Sequence, residues 1–417
     1  MNRLLTLAFS CAVAFAASLS QAAEREPCPE AGSVERYVTT RLLKEEAASG
    51  QVRVYYRLLR EFDATKPTLL IINGGPGGDH SLINSFGPLA GELNIVGFDH
   101  RGLGCTKIVS RGDTEYAAGT YAITRAADDI EAIRADLLGT GTWHVYGVSY
   151  GGMLAQRYAI QYPKSVRTLI LDSTFYESHA IEVGRRQYVA LFIDTLPEVK
   201  ALFAEIIAKY PDAHDNLLRM IWGLTYDYRG RTVEIKDLFA KVLAATSAEE
   251  ARKLYASPVY LGPFEGMSPA IICEEIWDHP AVTAEDQFYF AVFGAQCPKY
   301  LPYRQPMAWE GDLRALKVKT FIWAGGFDPV TPASVSEKMH GMIAGSLFFK
   351  NDYAGHGLFW EKRNCALKLM RQFWAAGDEH TIMATVATNE CQGVPTIEVD
   401  DYVPWRAASR AGAHPSF

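Results

Sequence analysis

The segment Gly147-Val148-Ser149-Tyr150-Gly151-Gly152 joins an apolar run, Trp143–Tyr146, to residues spaced as in a helix, Met153–Tyr162. A chain passes this sharply from strand to helix only if the central residue accepts a strained backbone and its neighbours carry no Cβ. That confines the fold to one in which a strand delivers a side chain to a sheet end and a helix leaves directly behind it. A bare Gly-x-Ser-x-Gly is a weak pattern. The strand before it and the helix after it make a nucleophile turn the better reading than an ordinary tight turn. The helix start beneath Ser149 adds a positive dipole that favours a developing oxyanion.

The rest of the chain repeats this rhythm. Val52–Leu59, Thr68–Ile72, Asn94–Phe98, Thr168–Leu171, Thr320–Trp323 and Ser346–Phe349 read as further strands. Arg125–Leu138 and Leu358–Phe373 have helical periodicity, and Thr331-Pro332 reads as an N-cap followed by proline at the first helical position. Alternating strands and helices predict an α/β fold with a mostly parallel central sheet flanked by helices. From about Ser178 the pattern turns helical, as in Glu198–Tyr210 and Glu234–Ala245, and the βα rhythm returns near Val318. The expected division is a leader at 1–22, a first core segment at 23–177, an inserted helical cap at 178–312, a second core segment at 313–395 and a tail at 396–417.

Composition narrows the function classes. With 417 residues, 48% of them hydrophobic, a packed core is attainable and disorder is excluded as the main state. Lys+Arg of 41 against Asp+Glu of 48 argues against nucleic acid as a partner. Met1-Asn2-Arg3, an uncharged stretch from Leu4 to Ser20 and small residues at Ser20 and Ala22 read as a secretory signal cleaved after Ala22. After it no run is long enough to span a membrane, so the expectation is a secreted or periplasmic chain with no membrane attachment. Six cysteines then remain, Cys28, Cys105, Cys273, Cys297, Cys365 and Cys391. An even number in an exported chain points to disulfides, although six allow fifteen pairings. Pairing by locality would give Cys28–Cys105, Cys273–Cys297 and Cys365–Cys391.

A serine hydroxyl needs a base to take its proton. His356, in Gly355-His356-Gly357 just after the last strand, is the candidate. His80, His100 and His144 sit in or beside early strands and read as structural. The base in turn needs an acid. Asp328, following the strand Thr320–Trp323, is preferred to Asp352, which lies only four residues from His356. The order Ser149, Asp328, His356 is that of α/β-hydrolases rather than of chymotrypsin or subtilisin.

A fourth feature is Asn73-Gly74-Gly75-Pro76-Gly77-Gly78, directly after the strand Thr68–Ile72. Its backbone N–H groups, with that of Tyr150, suit an oxyanion hole; Gly75 is the first choice of donor and Gly74 the next. A phosphate loop is excluded because no Lys-Ser/Thr follows and no G-x-G-x-x-G spacing occurs. No histidine motif has metal-ligand spacing, so neither a metal nor another cofactor is expected.

Together, Asn73–Gly78, Asp99-His100-Arg101-Gly102-Leu103-Gly104, Gly147–Gly152, Asp328 and Gly355–Gly357 resemble the prolyl- and tripeptidyl-aminopeptidase family of serine exopeptidases. The resemblance implies an α/β-hydrolase core with a helical cap, and peptide substrates with a free N-terminus. The Asp-Pro-Val-Thr-Pro run and the late cysteines are similar to the exported tripeptidyl branch. The family's first motif usually reads His-Gly-Gly-Pro-Gly, from which Asn73 departs. An exopeptidase needs anionic groups for the substrate ammonium, and Glu274 and Glu275 in the cap, with Glu177 behind them, are the candidates. A carboxylesterase on the same core is the alternative; a non-catalytic binding protein would be expected to lack one of the three residues.

Overall fold

The computed structural model describes residues 28–43, 46–109, 120–176, 196–214, 231–255, 309–375 and 378–393, with 189–190, 193–194, 216–218 and 221. The expected leader, the tail, Cys273 and Cys297 lie outside these residues. The chain separates into two units, Met1–Glu30 and Ala31–Phe417, and the fold belongs to the second.

The described strands are β1 (Glu35–Leu43), β2 (Glu46–Leu58), β3 (Thr68–Ile72), β4 (Asn94–Phe98), β5 (Lys107–Val109), β6 (Trp143–Val148), β7 (Val166–Asp172), β8 (Lys319–Gly325) and β9 (Leu347–Asn351). They form one sheet in the order β1-β2-β4-β3-β6-β7-β8-β9, with β5 also pairing β2. From β4 to β9 every neighbouring pair is parallel, while β2 is antiparallel to β1, β4 and β5. The seven expected strands are all present. Strands β1 and β5 are additional: β1 (ERYVTTRLL) is mostly half-buried and β5 is largely exposed, so neither carries the continuous apolar run of a central strand.

The central strands are apolar on both faces because helices cover both. Leu70, Ile72, Val145, Leu169, Leu171 and Ile322 pack in one cluster, with α1 (Ile123–Leu138) and α2 (Tyr150–Gln161). Their alternates Leu69, Ile71, Tyr146, Ile170, Phe321 and Trp323 point into the other. This is the period-two alternation of a strand, and a one-residue slip would exchange the two clusters.

Between β7 and β8, the described helices α3 (Pro197–Lys209), α4 (Arg231–Ala244) and α5 (Ala248–Tyr255) enclose a third cluster that includes Val199, Ile206, Phe239 and Tyr255. The next described helix, α6 (Trp309–Ala315), packs into the sheet core through Trp309 and Leu313.

Two local expectations are corrected. The Thr331-Pro332 helix start is displaced: α7 spans Ala333–Met342 with Pro332 at the cap position, because the Thr331 hydroxyl is bonded to Asp328 instead. The single helix Leu358–Phe373 is two, α8 (Leu358–Glu361) and α9 (Arg363–Trp374). Between them Lys362 leaves the helical region at φ −133°, and its amine reaches the Glu390 carbonyl at 3.3 Å. Cys365 in α9 is disulfide-bonded to Cys391, as locality pairing gives, and Cys28 and Cys105 are each disulfide-bonded as well.

Arg101 ties the antiparallel edge to α1. Its guanidinium donates to Asp129 at 2.5 and 2.9 Å and to the carbonyls of Leu42, Thr120 and Arg41. Both side chains are 2% exposed. Asp129→Ala strands a buried cation, so it should lower unfolding free energy by about 3–5 kcal/mol, read from the denaturant midpoint. Lys253→Ala, which breaks an exposed i,i+4 pair with Glu249, should change it by less than about 0.5 kcal/mol.

Candidate active site

Ser149 stands between β6 and α2 with φ 56° and ψ −128°, one of two described non-glycine residues at positive φ. The neighbours leave it little choice. A Cβ on Gly151 would lie 2.3 Å from the Ile72 carbonyl oxygen, so only glycine lets α2 start against the end of β3. A Cβ on Gly74 would sit 2.9 Å from Ser149 Cβ and 3.5 Å from its Oγ. The glycine loop therefore runs directly past the hydroxyl.

Asp328 follows β8 and is fully buried. Its Oδ1 accepts the N–H groups of Val330 and Thr331, each at 2.8 Å. Its Oδ2 accepts the Thr331 hydroxyl at 2.6 Å and faces His356 Nδ1 at 2.9 Å. Because an ionised carboxylate only accepts, His356 carries its proton on Nδ1 and presents Nε2 as the basic nitrogen. Asp352, the competing acid, is instead exposed and paired with Lys350 at 3.2 Å. Thr331 is a site residue that sequence reasoning missed: its Oγ lies 3.2 Å from His356 Nδ1 as well as on the carboxylate. The only signal was its place in Asp-Pro-Val-Thr-Pro, where the following proline made a helix cap the simpler reading.

Of the two loop amides named from the sequence, Gly74's is engaged. It donates to the side-chain Oδ1 of Asn73 at 2.8 Å, while Asn73 Nδ2 donates to the Asp79 carbonyl at 2.9 Å. Gly78 N–H closes the loop on the Gly74 carbonyl at 2.9 Å. Among the described residues the Gly75 N–H meets no acceptor. Tyr150 is the first residue of α2, where helix geometry aims amides out past the helix end.

Two of the early histidines have side-chain partners. His80 Nδ1 meets Asp99 Oδ1 at 2.7 Å, and His144 Nδ1 meets Thr168 Oγ1 at 2.8 Å. Burial pushes His100 and His144 each down to about 4, so both are neutral near pH 7. Among the described residues no group of three or more His, Cys, Asp or Glu is placed to hold a metal ion. No helix among them is long and apolar enough to cross a membrane. Glu177, Glu274 and Glu275 lie outside the described residues. Phe327, the neighbour of Asp328, packs against the third cluster, so this loop touches α3, α4 and α5 as well as the sheet.

A serine at the turn after β6, an acid after β8 and a histidine after β9, all at the carboxyl ends of parallel strands, make this protein an α/β hydrolase. Residues 67–206 match the α/β hydrolase fold family. Residues 291–396 match the family of TAP-like proteins. Proline iminopeptidase of Saccharolobus solfataricus is 23% identical over 325 residues, 77% of this chain and 89% of that protein. That of Thermoplasma volcanium is 24% identical over 77% of this chain and 93% of its own. Proline iminopeptidase PfmaB of Pestalotiopsis fici is 26% identical over 76% and 94%. The chain thus carries an α/β hydrolase match and a TAP-like match and is similar to proline iminopeptidases over most of its length, and it is an enzyme, a serine hydrolase.

Thr331→Val removes one of four donors to the Asp328 carboxylate while keeping side-chain volume. The expected loss is roughly tenfold in kcat with KM little changed. Steady-state kinetics check it, and a kcat within twofold of the parent would show that the acid does not need this hydroxyl.

Proposed function

We propose that the protein is an exported serine aminopeptidase that releases one or a few residues from free peptide N-termini. The observation that carries this reading is the His356–Asp328 bond of 2.9 Å, formed in a fold that also holds Ser149 in its strained turn. Ser149 Oγ attacks the scissile carbonyl and gives its proton to His356 Nε2. The C–N bond then breaks as His356 returns that proton to the leaving amine, and water resolves the acyl-enzyme by the same route in reverse. Asp328 keeps the imidazole in the required tautomer and stabilises the imidazolium. The N–H groups of Gly75 and Tyr150 receive the oxyanion.

The relatives named above are iminopeptidases, which supports an amine-terminal substrate. Within the cap, Glu274 and Glu275 would pair with its ammonium. The Cys365–Cys391 disulfide supports export, since such bonds persist in oxidising compartments. N-terminal sequencing of the exported protein should then begin at Ala23; a mature chain that retains residues 1–22 would oppose export by this route.

Ser149→Ala should abolish labelling by a fluorophosphonate and lower kcat by about 10⁴-fold or more. Acylating the substrate's N-terminus removes a charge-assisted contact and should lower kcat/KM by roughly 10- to 100-fold. Equal rates on blocked and free peptides, or turnover of a simple ester alone, would overturn the aminopeptidase reading.

A further inference from the structure

The end of β7 holds both partners of the proposed reaction, and no reacting atom belongs to it. Asp172 is the last residue of β7, beside the end of β6 on one side and of β8 on the other. Its carbonyl accepts the Ser149 N–H at 3.0 Å. Two residues on, the Thr174 hydroxyl donates to the Ser149 carbonyl at 2.6 Å. Both backbone polar groups of the strained serine are thereby bonded to one tripeptide.

The same tripeptide takes the three amides that follow His356. Gly357 N–H donates to Ser173 Oγ at 2.9 Å. Leu358 N–H donates to Asp172 Oδ1 and Phe359 N–H to Asp172 Oδ2, each at 2.9 Å. The remaining carboxylate positions take the Ser173 hydroxyl at 3.0 Å and the Tyr146 hydroxyl at 2.7 Å. Asp172 is fully buried, and all four of these groups donate to it. Burial pushes its carboxyl up, and the bonds from Tyr146, Phe359, Ser173 and Leu358 oppose that rise. Ser173 itself sits at φ 47° and is pinned from the other side, its N–H donating to the Trp323 carbonyl at 2.9 Å. Strained backbone of this kind costs about 1–3 kcal/mol and persists only where the surroundings over-determine it.

We propose that Asp172, Ser173 and Thr174 are positioning residues that set the distance between Ser149 and His356 by bonding the backbones of both. The proposal rests on the reading of those two residues as nucleophile and base. Asp172 touches no substrate; its carboxylate fixes the segment from which His356 projects, and its carbonyl fixes the serine turn. A misplacement of about 1 Å between reacting groups costs on the order of a hundredfold in rate.

The test compares Asp172→Asn, Ser173→Gly and Thr174→Val by kcat, KM, melting temperature and the rate at which a fluorophosphonate phosphonylates Ser149, with loss of fluoride, per folded molecule. Asp172→Asn keeps the shape but turns an amide donor towards groups that donate. It should lower kcat and the phosphonylation rate together by roughly a hundredfold, with KM within about twofold. Thr174→Val, nearly isosteric, should lower both by about tenfold, again without a matching rise in KM. Ser173→Gly relaxes the left-handed backbone and deletes the acceptor for Gly357, so it should lose rate without losing stability. If Asp172→Asn does not fold, the other two variants decide alone. Folded variants with unchanged phosphonylation, or losses that track the unfolded fraction or appear in KM, would overturn the clamp and leave the catalytic reading intact. A folded parent enzyme that never labels at Ser149 would overturn both.

Discussion

The backbone of Ser149, at φ 56° and ψ −128°, is the constraint on which the rest of the site depends. A β-carbon in that region is disfavoured, so the turn exists only because its surroundings supply what the residue lacks. Glycine at 151 lets α2 begin within contact of the β3 backbone, and glycine at 74 lets the loop after β3 cross the hydroxyl. The Ser149 N–H is bonded to Asp172 in the neighbouring strand. None of these contacts is available outside a parallel sheet with β3 and β7 on either side of β6. The sheet order is thus a condition of the Ser149 backbone geometry as well as a scaffold beneath it.

The two carboxylates nearest the chemistry follow one design. Asp328 and Asp172 are fully buried, and the groups placed on their oxygens are N–H and O–H donors. Neither oxygen pair draws on a lysine or arginine in those bonds. Directed dipoles hold a buried anion in a fixed orientation without the long flexible side chain of a cation. At Asp328 that leaves one carboxylate position for His356, and at Asp172 it leaves none. The first carboxylate is arranged to act on a ring and the second to bind backbone, which separates their roles by geometry alone.

The sequence was most legible where both faces of an element are buried. Thr68–Ile72, Asn94–Phe98 and Trp143–Tyr146 are unbroken apolar runs because helices cover each side, and their order around Ser149 also pointed to the acid and the base. Edge strands lose that signal: in β1 Thr39 and Arg41 are exposed, Tyr37, Val38 and Thr40 are only half-buried, and Leu42 alone is buried, so no continuous apolar run marks the strand. The parts of the site built from side chain to backbone contacts were the least legible. Thr331 has two plausible local partners in sequence, the amides of the following helix and the carboxylate three residues before it. The structure gives it the carboxylate, where its hydroxyl joins His356 on Oδ2 while the two amides of the turn occupy Oδ1. Asp172 closes an ordinary apolar strand, and nothing in Leu-Ile-Leu-Asp marks it as a bond to Leu358, nearly two hundred residues away.

Asn73 shows how a departure from a familiar motif alters a site without removing its chemistry. The resemblance places a histidine at this position, followed by the same glycines. With asparagine, the side chain turns back on its own loop: Oδ1 takes the Gly74 N–H and Nδ2 reaches the Asp79 carbonyl. The space for it comes from Gly78, where a Cβ would fall 2.4 Å from Asn73 Cγ. A short amide can therefore brace both ends of the loop only if position 78 is bare. Once the Gly74 amide is engaged internally, a transition-state oxygen would have to compete with Asn73 to use it, whereas the Gly75 amide has no such competitor among the described residues. Oxyanion stabilisation depends on donors oriented in advance of the charge. A loop braced by one side chain at both ends meets that condition while the Gly75 amide keeps no internal acceptor among the described residues.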